Sequence, residues 1–174
     1  HPHDADHHPD VDTAKLVACA AHPRVIGIGE TGLDYYYDKS DRVRQQDSFR
    51  RHIHASQETG LPVIVHTRDE ADVVSAVREA GSPGQTIGVR SGGHSWAGNH
   101  LRDGGMLLDV SRLRDVQIDK AAMRAVVQPG FGGSETVAAL AEEDLFFPAG
   151  HCTGVAIGGY LLQGGYGWNG RVHG

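Results

Sequence analysis

Four side chains in this sequence are of types and in places that could do chemistry. Glu30 closes the apolar run "RVIGIGE", and His66 stands at the end of the apolar run "LPVIVHT". A carboxylate and an imidazole at the C-terminal ends of neighbouring parallel strands could share a divalent metal. The plainer reading is two hydrogen-bonded structural residues. His94 and Cys152 are the other two. They are set among the pairs Gly92–Gly93, Gly158–Gly159 and Gly164–Gly165, with Arg90 beside the first pair. Paired glycines let backbone N–H groups come close to an anion, and an arginine adds a fixed positive charge. The plainer readings are tight turns and β-bulges, a turn histidine bonded to backbone, and a buried thiol. The pattern is neither a dinucleotide-binding GxGxxG turn nor a P-loop, so those mechanisms do not apply.

The elements that must position these groups are legible in outline. "TAKLVACAAH" reads as a short helix stopped by Pro23. "RVIGIGE" is an apolar strand. Ser40 or Asp41 can cap a helix that carries Val43, Phe49, Ile53 and Ala55 near helical spacing and ends at Gly60. "LPVIVHT" is a second strand, so strand, helix and strand make a βαβ unit with a parallel pair. "EADVVSAVREAG" places Val73, Val74 and Val77 on one helical face, closed by Gly81. "QTIGVRSGGHSW" and "GGMLLDVSRL" each contain a strand. "VQIDKAAMRAVVQPG" reads as two strands around an Asp-Lys turn. "GSETVAALAEEDL" is an amphipathic helix with Ser134 as its N-cap.

The 174 residues suffice for one ordinary domain and are too few for two large ones. A net charge of −6 argues against generic electrostatic binding to nucleic acid. No apolar run approaches the ~20 residues that span a bilayer. "HPHDADHHPD" lacks the basic and apolar regions of a signal peptide, so the expected location is cytoplasmic with no membrane partner. Cys19 reads as a small buried residue on its helix, and a disulfide to Cys152 has no support in the sequence. Residues 1–80 hold 4 glycines and 8 histidines, whereas residues 81–174 hold 20 and 4. That break places a boundary near residues 70–85.

Two family resemblances fall on either side of it. "HPHDADHHPD", "VIGIGETGLDYYYD", the helix that follows and "LPVIVHTRD" together resemble the TatD-type metal-dependent deoxyribonucleases, over residues 1 to 70. That family is a (β/α)₈ barrel with a dinuclear metal centre. The resemblance implies Glu30 as a bridging metal ligand and His66 as a terminal one, with Asp34 and Arg68 around them. The family's opening His-x-His strand and its downstream His and Asp ligands have no counterpart here. Two ligands are too few for a catalytic metal pair.

"VRSGGHSWAG", "GGMLLDVSRL", "VVQPG" and "PAGHCTGVAIGGYLLQGGYGW" resemble the berberine-bridge-enzyme-like FAD-linked oxidases, over residues 69–174. By that resemblance Arg90, Ser91, Gly92, Gly93, His94 and Ser95 form the pyrophosphate loop. His94 would bond covalently to the flavin 8α position and Cys152 to flavin C6. Gly150, Val155, Gly158, Gly159 and Tyr160 would line the rest of the cofactor channel. A thiolate or an imidazole nitrogen suits addition to an electron-poor ring, and the isoalloxazine would carry the oxidation. The family's substrate domain and catalytic base have no counterpart in the chain, and no residue present is assigned as general base.

The expected fold is therefore mixed α/β. A partial TIM-barrel βαβ fragment over residues 1–70 precedes a partial α+β FAD-binding (PCMH-type) subdomain over residues 71–174. The strand at 61–67 satisfies both patterns. The expected function is the FAD-binding segment of a berberine-bridge-like oxidoreductase with covalent FAD, incomplete in isolation and acting on a small molecule once completed. Two alternatives stand beside it. One is a truncated TatD-type hydrolase, with a weakly held divalent metal at Glu30 and His66 and nucleic acid as its partner. The other is a non-functional fusion of two gene fragments.

Overall fold

A computed structural model describes residues 1–35, 37, 39–81 and 85–173. The chain packs as two compact units, one of His1–Val89 with Ala97–Val110, the other of Arg90–Trp96 with Ser111–Gly174. These packing units do not follow the sequence segments 1–70 and 71–174.

The first unit contains a 3₁₀ turn at Pro2–Asp4, then α1 (Thr13–Ala20), β1 (Ile28–Gly32), α2 (Arg42–Thr59), β2 (Val63–His66) and α3 (Glu70–Glu79). The strands β3 (Ile87–Arg90) and β4 (Met106–Asp109) follow, and the sheet order is β1-β2-β4-β3. β2 is parallel to β1 on one side and to β4 on the other, with Val63 opposite Met106 and His66 opposite Asp109. The strand that fits both family patterns thus pairs with one strand before it and one after it in the chain. Its Val63 and Val65, which share one face, are fully buried, while Ile64 on the other face is half-buried.

α2 covers the sheet because its apolar residues recur at helical spacing. Gln45, Phe49, Ile53 and Ser56 make the buried stripe, with Ala55 beside it. Asp41, not Ser40, is the N-cap and accepts the Arg44 N–H at 3.1 Å, while Gly60 ends the helix at φ 71°. Val43 lies two residues off the stripe and is exposed. Gln45 is tolerated inside because its amide is satisfied. It accepts the Asp34 N–H at 2.8 Å and donates to the Ser40 carbonyl at 2.8 Å.

Two further expectations differ. α3 buries Asp72 and Ala76, leaving Val74 and Val77 exposed. The reason is polar: Asp72 accepts the Arg68 N–H at 3.0 Å, which turns that face inward. Cys19 is exposed, since α1 buries none of its residues, and both cysteines are free thiols.

The second unit is built on the antiparallel hairpin β5 (Val116–Asp119) and β6 (Arg124–Val127), whose turn is fixed by Asp119 accepting the Ala122 N–H at 2.9 Å. Helices α4 (Gly133–Ala141), α5 (Ile157–Leu162) and α6 (Gly170–His173) follow. The N-cap of α4 is Gly132 rather than Ser134, because the Glu135 carboxylate already accepts the Gly132 N–H at 2.8 Å. An isolated bridge between Gly132 and Ala156 ties the start of α4 to the start of α5. Among the described residues no helix is long and apolar enough to cross a membrane.

Candidate functional site

The second unit holds a cleft of about 460 Å³ whose walls come from four stretches of chain. Arg90, Ser91 and Gly92 supply one wall, and Thr153, Gly154 and Ala156 supply another. Ser111 with Arg114, and Gly130 through Glu135, complete it. The two principal walls touch closely at Gly92. A Cβ there would sit 2.8 Å from the Ala156 nitrogen and 3.0 Å from its Cβ, so only glycine lets these backbones approach. What results is a polar cleft lined by backbone groups, hydroxyls and arginine.

A second cavity of about 210 Å³ is lined by Gly150, Cys152, Val155 and Tyr160, with His151 and Tyr166 among its other walls. It is more apolar and holds two tyrosines. The Tyr160 hydroxyl donates to the Pro148 carbonyl at 3.1 Å, which fixes the ring. Residues 150–156 therefore run from one cavity to the other.

The remaining residues singled out in the sequence are placed as follows. His94 is exposed, with Nε2 3.5 Å from where a Cβ on Gly154 would begin. Gly154 is two residues along the chain from Cys152, which is also exposed. Gly93 is exposed and turns the chain at φ 69°, with the Arg90 guanidinium packed over it. Ser95 is exposed. Gly158 packs on Pro129 and donates its N–H to the Pro129 carbonyl at 3.1 Å, while Gly159 faces the Ser91 hydroxyl.

Sequence reasoning missed Arg114 and Glu135. They lie far apart in the chain and on no shared motif, so nothing local links them. In space Arg114 Nη2 donates to Glu135 Oε1 at 2.6 Å and to Oε2 at 2.5 Å.

The first unit gathers a separate polar cluster around the C-terminal ends of β1 and β2, although Glu30 is the third of the five residues of β1 and does not close the strand as the sequence suggested. Glu30 Oε1 lies 2.7 Å from His66 Nδ1 and 4.0 Å from His1 Nε2. The fully buried Asp34 has His3 Nε2 at 2.5 Å and Arg68 Nε at 2.6 Å, and accepts the Tyr37 N–H at 3.0 Å. The Arg68 guanidinium stacks over the Tyr37 ring at 4.9 Å. Burial alone would raise the Asp34 pKa. The Tyr37 N–H, His3 and Arg68 outweigh it and hold the carboxyl below its ordinary value. Glu30 and His66 are thus together, as expected. His1 and His3 join them, although no local pattern marks that His-x-His spacing for a role at this cluster. Among the described residues no group of three or more His, Cys, Asp or Glu side chains is set to hold a metal ion.

Comparison with known proteins finds relatives of two kinds. A family model described as an FAD binding domain matches residues 61–174. The aclacinomycin-N/aclacinomycin-A oxidase of Streptomyces galilaeus is 38% identical over 158 residues, covering 86% of this chain and 28% of the oxidase. The crystal structure of aclacinomycin oxidoreductase superposes with a TM-score of 0.53 at 37% identity, covering 60% of this chain and 22% of that one. The uncharacterized metal-dependent hydrolase YcfH of Escherichia coli (strain K12) is 51% identical over 69 residues, covering 39% of this chain and 26% of the hydrolase. The chain spans about a quarter to a third of the length of the curated relatives it matches.

Proposed function

The chain belongs to the FAD binding domain family through residues 61–174, and from that premise we propose that its second unit is the flavin-holding part of a berberine-bridge-like oxidoreductase. The observation that carries this reading is the closure of the 460 Å³ cleft at Gly92. There the Arg90–Gly92 loop meets residues 153–156 with no room for a side chain between them. A close-packed glycine loop beside an arginine suits a diphosphate.

In this reading Arg90, Ser91 and Gly92 hold the diphosphate of FAD. Gly150, Cys152, Val155 and Tyr160 offer the neighbouring apolar cavity. His94 and Cys152 are the points of covalent attachment. Both are exposed, as a residue that must meet an incoming ring has to be. Bound flavin supplies the two-electron acceptor for substrate oxidation. The chain's own residues bind, orient and tether it. Substrate and the general base belong to the whole oxidoreductase, acting on a small molecule. We further propose that residues 1–70 and 71–174 have separate ancestries, hydrolase and oxidase. The unit β1–α2–β2 is then the remnant of a hydrolase barrel.

The residues at the hydrolase-like site do not fit a metal centre. Glu30 Oε1 lies against His66 Nδ1 at 2.7 Å, and His3 and Asp34 form a pair of their own. A divalent ion would have to break such contacts to gain too few ligands, so the cluster supports no hydrolytic step.

Intact mass tests the tether. The chain is expressed with riboflavin, denatured in acid and weighed. The expected result is an increase matching one FAD, retained in His94→Ala and in Cys152→Ala and lost in the double variant. An increase that survives the double variant would place the tether elsewhere.

A further inference from the structure

One feature of the cleft wall opposes its use as an anion site. Glu135 lines it, and a carboxylate repels a diphosphate. That carboxylate is doubly engaged. Its Oε2 accepts the Gly132 N–H at 2.8 Å, at the first turn of α4, and both its oxygens take Arg114 Nη2, at 2.6 and 2.5 Å. Arg114 is further fixed by donating through Nη1 to the Gly130 carbonyl at 2.9 Å. Its guanidinium is therefore committed to the protein, although it lines the same cleft.

We infer that the Arg114–Glu135 pair is a charge lock that sets how strongly the cleft takes a diphosphate. Glu135 answers the donor at the start of α4 and holds Arg114 against itself, so the pair brings no net charge to the cleft. The ligand is then left to the Arg90–Gly92 wall. Breaking the lock from either side has opposite consequences. Without the Glu135 charge, Arg114 becomes a second cation facing the ligand. Without the Arg114 charge, Glu135 faces the ligand unscreened. A merely structural pair, by contrast, weakens binding whichever partner is removed. The inference rests on the flavin reading of the cleft.

The test titrates the whole chain with ADP, which carries the diphosphate without the flavin ring, and with FAD, at two salt concentrations. The variants are Glu135→Gln, Arg114→Gln and the double. Glutamine keeps the size of each side chain and, at 135, an oxygen for the Gly132 N–H. Melting curves check that each variant is folded. Because both side chains are half-exposed, the effects are screened. Glu135→Gln is expected to bind about fivefold tighter and with a steeper salt dependence, and Arg114→Gln about fivefold weaker. The double variant returns close to wild type. If wild type binds and both single variants weaken binding or leave it unchanged, the lock is wrong and the flavin reading stands. If wild type binds neither ADP nor FAD, both fall together.

Discussion

Gly92→Val is expected to leave the chain folded and to weaken FAD binding by about a hundredfold or more. The first methyl-sized atom of any side chain at this position would lie 2.8 Å from the Ala156 nitrogen, 3.0 Å from the Ala156 Cβ and 3.2 Å from the Gly154 carbonyl oxygen. Two of these are backbone atoms, which cannot rotate aside as a side-chain tip can. Ala156 is buried and tied to Gly132 by the isolated bridge, so that wall is held. The loop carrying Gly92 is the part that must move. Its outward shift costs about 1–3 kcal/mol of stability, as overpacking does. It also moves the Ser91 and Gly92 N–H groups out of reach of the ligand. A hydrogen bond to a charged group contributes about 1.5–3 kcal/mol, and losing two of them accounts for the hundredfold. Circular dichroism checks the fold and flavin fluorescence reads the binding. Unchanged FAD affinity in a folded Gly92→Val chain would mean that this cleft is not where the diphosphate sits.

The second large effect falls in the other unit. Asp34→Asn is expected to destabilise it by about 3–5 kcal/mol at neutral pH, the usual result of removing one partner from a buried ion pair. Asp34 is fully buried and Arg68 reaches it at 2.6 Å. An asparagine would keep the acceptor for the Tyr37 N–H. It would leave the Arg68 charge uncompensated, however, and could point its own donors at His3 or Arg68. The pH dependence follows from the direction of the shift. The folded carboxyl titrates below the unfolded one. Its contribution is therefore complete above the unfolded value, near pH 4, and is lost as pH falls through the folded value. Asp72 runs the other way. Burial raises its pKa above the ordinary carboxyl value, so acid relieves a cost there. The part of the acid loss owed to Asp34 should vanish in Asp34→Asn. Urea unfolding at pH 7 and in the acid range, followed by far-UV circular dichroism, measures both effects. Equal acid sensitivity in the two proteins would mean that Asp34 does not carry the acid loss.

Much of this architecture was legible because it is written in local pattern. Apolar runs bounded by glycine and polar turns marked β1, β2 and β4. Asp-Lys between two apolar pairs marked the β5–β6 hairpin. Glycine after a polar helix marked the end of α2. The glycine pairs beside Arg90 and Cys152 pointed at an anion cradle, and residues from both stretches do line cavities of one unit.

What stayed hidden depends on distant partners. Val43, Val74 and Val77 are apolar, yet they lie on faces that buried polar contacts at Gln45 and Asp72 turn outward. Ser134 has the chemistry of an N-cap, but Glu135 answers the Gly132 N–H instead. Cys19 has a buried residue's composition around it on a helix that buries nothing. The Arg114–Glu135 pair joins two segments with no common motif. Most of all, no local signal says that residues 90–96 pack with one unit and 97–110 with the other. Along the chain the packing changes hands three times. β2 uses both of its edges, pairing in parallel with β1 on one and with β4 on the other.

The measurement that bears most directly on the central claim is a titration of the wild-type chain with FAD, read by flavin fluorescence and by the unfolding temperature of the same samples. A competent cleft predicts saturable one-to-one quenching and an unfolding temperature that climbs with FAD concentration, since a ligand of the folded state stabilises it by mass action. Fluorescence that stays at its free value, with an unfolding temperature that does not move, would contradict the assignment of the second unit as a flavin-holding module.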